Sequence, residues 1–204
     1  GITSTEQALQ IAELGVNAIG IISVKESPRY VSAQKKKEIF RILEEFFPKI
    51  KRVSVIKNLH IKNTLKSLID HENVIQLHGD EDLDYCKNIK INFPQIEIWK
   101  AFRIKTFKDI EGIKTFTNFI DAVLLDSWNK ETYGGSGIKI KRELLEKISL
   151  SKPWWLAGGV SNDWVKEIIS EIQPDGLDVS SSIELQPGVK DIEKINKLLL
   201  EIRR

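Results

Sequence analysis

The stretch PWWLAGGVSNDWVKEIISEIQPDGLDVSS, residues 153–181, carries the pattern on which the fold turns. PWWLAGG (153–159) reads as an apolar strand running into a turn, NDWVKEIISEI (162–172) as a helix, and GLDVSS (176–181) as a second strand. Strands separated by a helical segment form βα units, whose strands lie parallel. Trp154 and Trp155 are adjacent on the first strand and so face opposite sides; one is expected inside the fold and the other beneath the helices.

The alternation continues outward in both directions. Strands are expected at 18–23, 52–56, 74–78, 97–102 and 122–127, and helices at 4–15, 32–47, 61–70, 80–90, 105–116, 141–149 and 191–204. Ser4 and Ser32 read as N-caps, Ser161 or Asn162 as the cap of the 162–172 helix, and Gly15 as a helix stop. The strands are almost continuously apolar, as strands covered on both faces must be. With seven strands and eight helices, the expected class is α/β, a single-domain (β/α)8 TIM barrel over residues 1–204 whose first strand lies upstream of Gly1. An open doubly wound sheet is the structural alternative, but its glycine fingerprint would come after an early strand, and here the glycines come late.

Composition narrows the class. A net charge of +2 argues against a dedicated nucleic-acid binder, and the Lys35–Lys36–Lys37 run reads as a solvated helix face. Cys86 is the only cysteine and three scattered histidines give no ligand spacing, so neither a disulfide framework nor a metal site is expected. No apolar run approaches a membrane span and no leader opens the chain, so a cytoplasmic protein is expected. The chain opens at Gly1 and contains no Met.

The late glycines suggest chemistry. LAGGV (156–160) and the serines of LDVSSS (177–182) end adjacent strands, the last two of the chain, where barrels of this kind often hold phosphate. Earlier, AVLLDSWNKETYGGSG (122–137) ends a strand in a carboxylate, Asp126, followed by a loop poor in side chains. A carboxyl at the tip of a parallel strand sits at the barrel mouth, and burial there favours its protonated form. Glycines let the following backbone come close to a substrate.

Taken in order, GIT (1–3), SPRYVS (27–32), QLHGDE (76–81), LLDS with YGGSG (124–127 and 133–137), LAGGV (156–160) and LDVSSSIELQPGVKD (177–191) resemble the phosphoribosylanthranilate isomerase family of tryptophan biosynthesis. The resemblance covers essentially the whole chain. It implies a (β/α)8 barrel and an Amadori rearrangement without a cofactor. N-(5'-phosphoribosyl)anthranilate would become 1-(2-carboxyphenylamino)-1-deoxyribulose 5-phosphate. Asp126 matches the family's general acid, and Arg29 the arginine expected to pair with the anthranilate carboxylate. The resemblance places Gln76 and His78 at the pocket wall and Gly158, Gly159, Ser180 and Ser181 in the phosphate site, with Asp178 on the same strand end expected to face the sugar. The family's base is a cysteine just before the glycine that Gly1 matches, so as written the chain is expected to lack it; Cys86 lies in a helix and cannot stand in. Ser182 stands where the family usually has Gly, a backbone position that Ser is expected to adopt less willingly.

The expected partner is a small phosphorylated substrate, with no nucleic acid and no membrane, in a monomer or homodimer. Two other readings stay open. One is a non-catalytic phosphosugar-binding barrel, if the protein starts at Gly1. The other is a related aminoimidazole isomerase, although the repeated half-barrel of that family is not visible here.

Overall fold

A computed structural model of the chain describes residues 1–59, 70–127 and 140–203. Residues 61–69 of the helix expected over 61–70 and the YGGSG stretch at 133–137, together with His60 and Trp128, lie outside the described residues. Helices α1 (Thr5–Glu13), α2 (Ala33–Phe46), α3 (Leu83–Asn92), α4 (Phe107–Ile113), α5 (Arg142–Leu145), α6 (Val165–Glu167) and α7 (Ile192–Ile202) surround one sheet. Its strands are β1 (Ala18–Ile22), β2 (Lys51–Ile56), β3 (Val74–Leu77), β4 (Glu97–Ile104), β5 (Ala122–Ser127), β6 (Trp154–Leu156) and β7 (Gly176–Leu177). The seven strands pair in sequence order, each parallel to the next, so every strand tip points to the same end.

Local chemistry starts and stops these elements as the sequence implies. The Ser4 hydroxyl accepts from Gln7 N–H and the Ser32 hydroxyl from Lys35 N–H, each satisfying an unpaired donor of the first helical turn. Gly15 takes φ +79° just past α1. Alternation along the strands then sorts the side chains into two layers. Val53, Val74, Trp99, Ala101, Ala122 and Leu124 form an inner cluster, into which Trp155 packs. Trp155 stacks on Trp99 with ring centroids 4.5 Å apart. An added Cβ on Gly176 would meet the Trp155 ring at 2.2 Å, so the glycine makes room for the indole. The opposite face, with Ile75, Leu77, Ile98, Val123, Leu125 and Leu156, packs against Cys86, Ile89, Ile110, Ile113 and Leu145 of the helices, while Trp154 packs against this outer core. Fully burying a Leu or Ile side chain is worth about 1.5–3 kcal/mol, so these two layers carry most of the fold's stabilisation.

The two ends of the chain meet. Ala8, Ile11 and Ala12 of α1 share one buried cluster with Ile195 and Leu198 of α7. Thr3 donates to Gly188 O at 2.7 Å, and Arg203 donates to Leu14 O at 2.8 Å.

Several expectations need correction. The strand expected over 153–159 stops at Leu156, because Gly158 and Gly159 take φ +72° and +69° and turn the chain. The strand expected over 176–181 is only Gly176–Leu177, and Ser181–Ile183 is a 3-10 turn. The helix expected over 162–172 begins at Val165 without a side-chain cap and widens into a π-turn at Ile168–Ile172. A short antiparallel hairpin, β8 (Glu184–Gln186) and β9 (Val189–Lys190), forms in a stretch to which the sequence pattern assigns no element. The lysine run is not a uniformly solvated face: Lys36 is buried, its ammonium paired to Glu72 at 2.6 Å and bonded to the Ser54 hydroxyl. Among the described residues, no helix is long and apolar enough to cross a membrane.

Candidate active site

The tips of β3, β5, β6 and β7 converge. Asp126 stands near the end of β5 with its side chain 2% exposed. Its Oδ1 accepts from Ser127 N–H at 2.8 Å, and its Oδ2 lies 3.3 Å from His78 Nε2. The turn at the end of β6 presses on the same carboxyl: a Cβ built on Gly158 would lie 2.6 Å from Asp126 Oδ1 and 2.7 Å from Ser127 Oγ. A side chain there would force Asp126 or Ser127 to shift.

His78 is held in turn. Gln76, one strand period earlier, places its Nε2 3.0 Å from His78 Nδ1 and 3.3 Å from Asp178 Oδ2 on the far side of the mouth. The Gln76 amide nitrogen donates to the Asp178 carboxyl oxygen. The same nitrogen lies beside His78 Nδ1, and the other ring nitrogen, Nε2, faces Asp126 Oδ2. A continuous polar chain, Asp178–Gln76–His78–Asp126, therefore crosses from β7 through β3 to β5. The loop after His78 is fixed from below by a buried pair, Glu81 and Lys100, 3.0 Å apart. Glu81 accepts from Gly79 N–H and Lys100 donates to Gly79 O.

Gly158 and Gly159 face the segment 180–182 across the last two tips. The Ser182 hydroxyl donates to Val160 O and ties the two loops together. Ser182 lies in the 3-10 turn and is not among the residues with positive φ, so the strain expected at this position is absent. Ser180 adjoins a buried ammonium: Lys190 Nζ lies 3.0 Å from Ser180 O and 3.3 Å from Ser180 Oγ.

Arg29 sits apart from the Asp126 chain. Its Nε and Nη2 form a fork on Glu184, at 2.8 and 2.6 Å. Lys190 Nζ shares that carboxylate at 2.8 Å, and Gly188 N–H reaches it at 3.1 Å. Burial acts to raise the Glu184 carboxyl, but the bonds from Arg29, Lys190 and Gly188 outweigh it and hold the group at about 2. The bond to Glu184 raises Arg29, whereas burial pulls Lys190 below the usual lysine range, against the pull of Glu184. Glu184 and Lys190 escaped the reading of the sequence. The signal was there: two opposite charges flank the Pro-Gly of ELQPGVK, and a hairpin at that turn brings them together.

Cys86 takes no part. It is buried under the outer face in α3, and burial pushes its thiol up to about 11. Among the described residues, no group of His, Cys, Asp and Glu side chains is arranged to hold a metal ion.

Residues 1–201 match the N-(5'-phosphoribosyl)anthranilate (PRA) isomerase family. The chain belongs to that family. An N-(5'-phosphoribosyl)anthranilate isomerase of Crocosphaera subtropica is 40% identical over 204 residues, covering 100% of this chain and 96% of the relative. The crystal structure of the phosphoribosylanthranilate isomerase of Thermotoga maritima superposes with a TM-score of 0.86 at 28% identity, covering 99% of this chain and 95% of that one. A further isomerase structure of the family matches with a TM-score of 0.79 at 26% identity, covering 99% of this chain and 95% of that chain. It was determined in complex with reduced 1-(o-carboxyphenylamino)-1-deoxyribulose 5-phosphate. Family membership favours an isomerase over a barrel that only binds phosphosugars.

Proposed function

We propose that the protein converts N-(5'-phosphoribosyl)anthranilate into 1-(2-carboxyphenylamino)-1-deoxyribulose 5-phosphate, with Asp126 as the general acid. One observation carries this assignment: the Asp126 carboxyl, nearly closed off from solvent, touches both the Gly158 turn and His78 at the end of the sheet where all the strand tips gather. In the family's reaction, the acid protonates the ribose ring oxygen, and the ring opens to a Schiff base. A base then removes the C2' proton, and the resulting enolamine tautomerises to the ketone. The ring C–O bond breaks as the amine nitrogen's electron pair forms the C=N bond, and the enzyme itself exchanges only protons with the substrate, work for acid and base groups.

Phosphate binding at Gly158, Gly159, Ser180 and Ser181 is supported by two turns that lie side by side and are tied by the Ser182–Val160 bond. Arg29 is the partner for the anthranilate carboxylate. Glu184 takes the Nε–Nη2 edge of its guanidinium, and the Nη1 side is left for a second planar carboxylate. Gln76, His78 and Asp178 line the wall between these sites and face the sugar.

The closed (β/α)8 barrel is the architecture this reading requires, with an eighth strand between β7 and β1. Two observations support it. Asn17 O and Ser23 N bond toward β2, so by alternation Gly20 faces the other edge of β1, and there Ile2 N–H donates to Gly20 O at 3.0 Å. The helix layer also already joins end to end through α1 and α7.

The test is turnover of N-(5'-phosphoribosyl)anthranilate by the protein expressed from its full reading frame, against its Asp126→Asn variant. The amide keeps the shape but cannot give up a proton. The expected result is a fall in kcat of about 10²–10⁴-fold with the fold retained. An unchanged kcat removes Asp126 as the acid.

A further inference from the structure

We propose that Glu184 is a positioning residue that sets both anion subsites with a single carboxylate. The proposal rests on the functional reading above and goes beyond it by joining two subsites that no shared residue had connected. The Glu184 carboxylate receives the Arg29 fork through both oxygens and the Lys190 ammonium through Oε1. Its side chain is 5% exposed, so these contacts are made away from water.

At one end, the carboxylate fixes the plane of the Arg29 guanidinium. A fork bound along its Nε–Nη2 edge has one orientation, which leaves the Nη1 side for a second carboxylate. At the other end, Glu184 anchors Lys190. An ammonium has three protons, and Lys190 directs its Nζ to Glu184 Oε1, Ser180 O and Ser180 Oγ. Lys190 is therefore not a direct ligand of the phosphate. It holds the Ser180 carbonyl, and because the peptide unit is planar and trans, the N–H of Ser181 must point the opposite way, away from Lys190. The hairpin turn closes the arrangement, with Gly188 N–H on Glu184 and Gly188 O on the Thr3 hydroxyl.

Charge and position give opposite expectations, which makes the role testable. Glu184 is an anion between two cations. If it acted only through its charge, removing that charge would strengthen the binding of anionic ligands. If it positions, removing it releases both Arg29 and the Ser180 loop, and binding weakens at both subsites. Glu184→Gln keeps the shape but offers one acceptor oxygen where two cations need a shared carboxylate.

The experiment measures dissociation constants for inorganic phosphate and for anthranilate separately, with wild-type protein, Glu184→Gln, Arg29→Met and Lys190→Met. Glu184→Gln is expected to weaken both ligands by about tenfold, the equivalent of one charge-assisted bond at each subsite. Arg29→Met is expected to weaken anthranilate alone, and Lys190→Met phosphate alone. Tighter binding, no change, or the loss of only one ligand in Glu184→Gln overturns the proposal. If Glu184→Gln does not fold, Glu184→Asp keeps the charge, shortens the reach and carries the same expectation. Wild-type protein that binds neither ligand refutes the functional reading itself; wild-type protein that binds both, beside an unaffected Glu184 variant, refutes only the role of Glu184.

Discussion

Gly158→Ala puts the contact between the β6 turn and the Asp126 carboxyl under direct strain. Gly158 has φ +72°, a conformation that costs an alanine about 1–2 kcal/mol. The added Cβ would stand 2.6 Å from Asp126 Oδ1 and 2.9 Å from Ser127 N, whereas ordinary contact begins at 3.4 Å. Neither neighbour is the loose end of a long side chain: Ser127 N is backbone, and Asp126 is held by Ser127 N–H and His78. Relief requires the carboxyl to retreat by about 0.8 Å, and a misplacement on that scale costs a reacting group about 10²-fold. Overpacking adds about 1–3 kcal/mol to the backbone cost. For a chain of this size the two together lower Tm by roughly 4–20 °C. The assay is kcat at saturating substrate, well below the variant's Tm, alongside thermal unfolding. The expected pattern is a kcat reduced by about two orders of magnitude in a protein that is destabilised but folded. A folded Gly158→Ala protein with kcat within about twofold of wild type would refute the reasoning, because the turn could not then be shaping the acid's position.

Other outcomes follow from the same geometry. Ser182→Ala removes the hydroxyl bond between the two loops at the last strand tips; it should lower stability by about 1 kcal/mol in urea unfolding and weaken phosphate binding, and unchanged values in both would show that the tie is idle. Gln76→Leu breaks the bonds that join His78 to Asp178; kcat should fall about tenfold with the fold retained, and an unchanged kcat would count against a role for this chain of bonds. Glu184 has a carboxyl held at about 2 in the fold against an ordinary 4.5, so its contribution to stability is complete above about pH 4.5 and is lost as the pH falls toward 2. The urea midpoints of wild type and Glu184→Gln should therefore differ at neutral pH and converge in acid, and a gap independent of pH would refute the ion triad.

The parallel βα alternation was legible in the sequence because its strands are nearly unbroken apolar runs and its helices carry capping serines such as Ser4 and Ser32. Those signals are local. What local signals could not show was where the last strands stop. The strands that end at Leu156 and Leu177 are short because Gly158, Gly159 and the serine loop turn the chain, while apolar residues such as Val160 and Val179 continue the apolar pattern past the point where pairing ends. Lys36 read as solvated because its partners, Glu72 and Ser54, arrive from distant segments. Asp126, Gln76, His78 and Asp178 could be named from their motifs, but the chain of bonds that links them spans three strands and is a property of the sheet alone. Arg29 was singled out without Glu184, since 155 residues separate the two in sequence.

The most direct measurement is a crystal structure of the protein, expressed from its full reading frame, with reduced 1-(o-carboxyphenylamino)-1-deoxyribulose 5-phosphate bound. The phosphate should lie against Gly158, Gly159, Ser180 and Ser181, the carboxylate on Arg29, and the Asp126 carboxyl within hydrogen-bond reach of the sugar oxygen that belonged to the ring. A phosphate bound elsewhere, or an Asp126 turned away from the sugar, would contradict the assignment of this site.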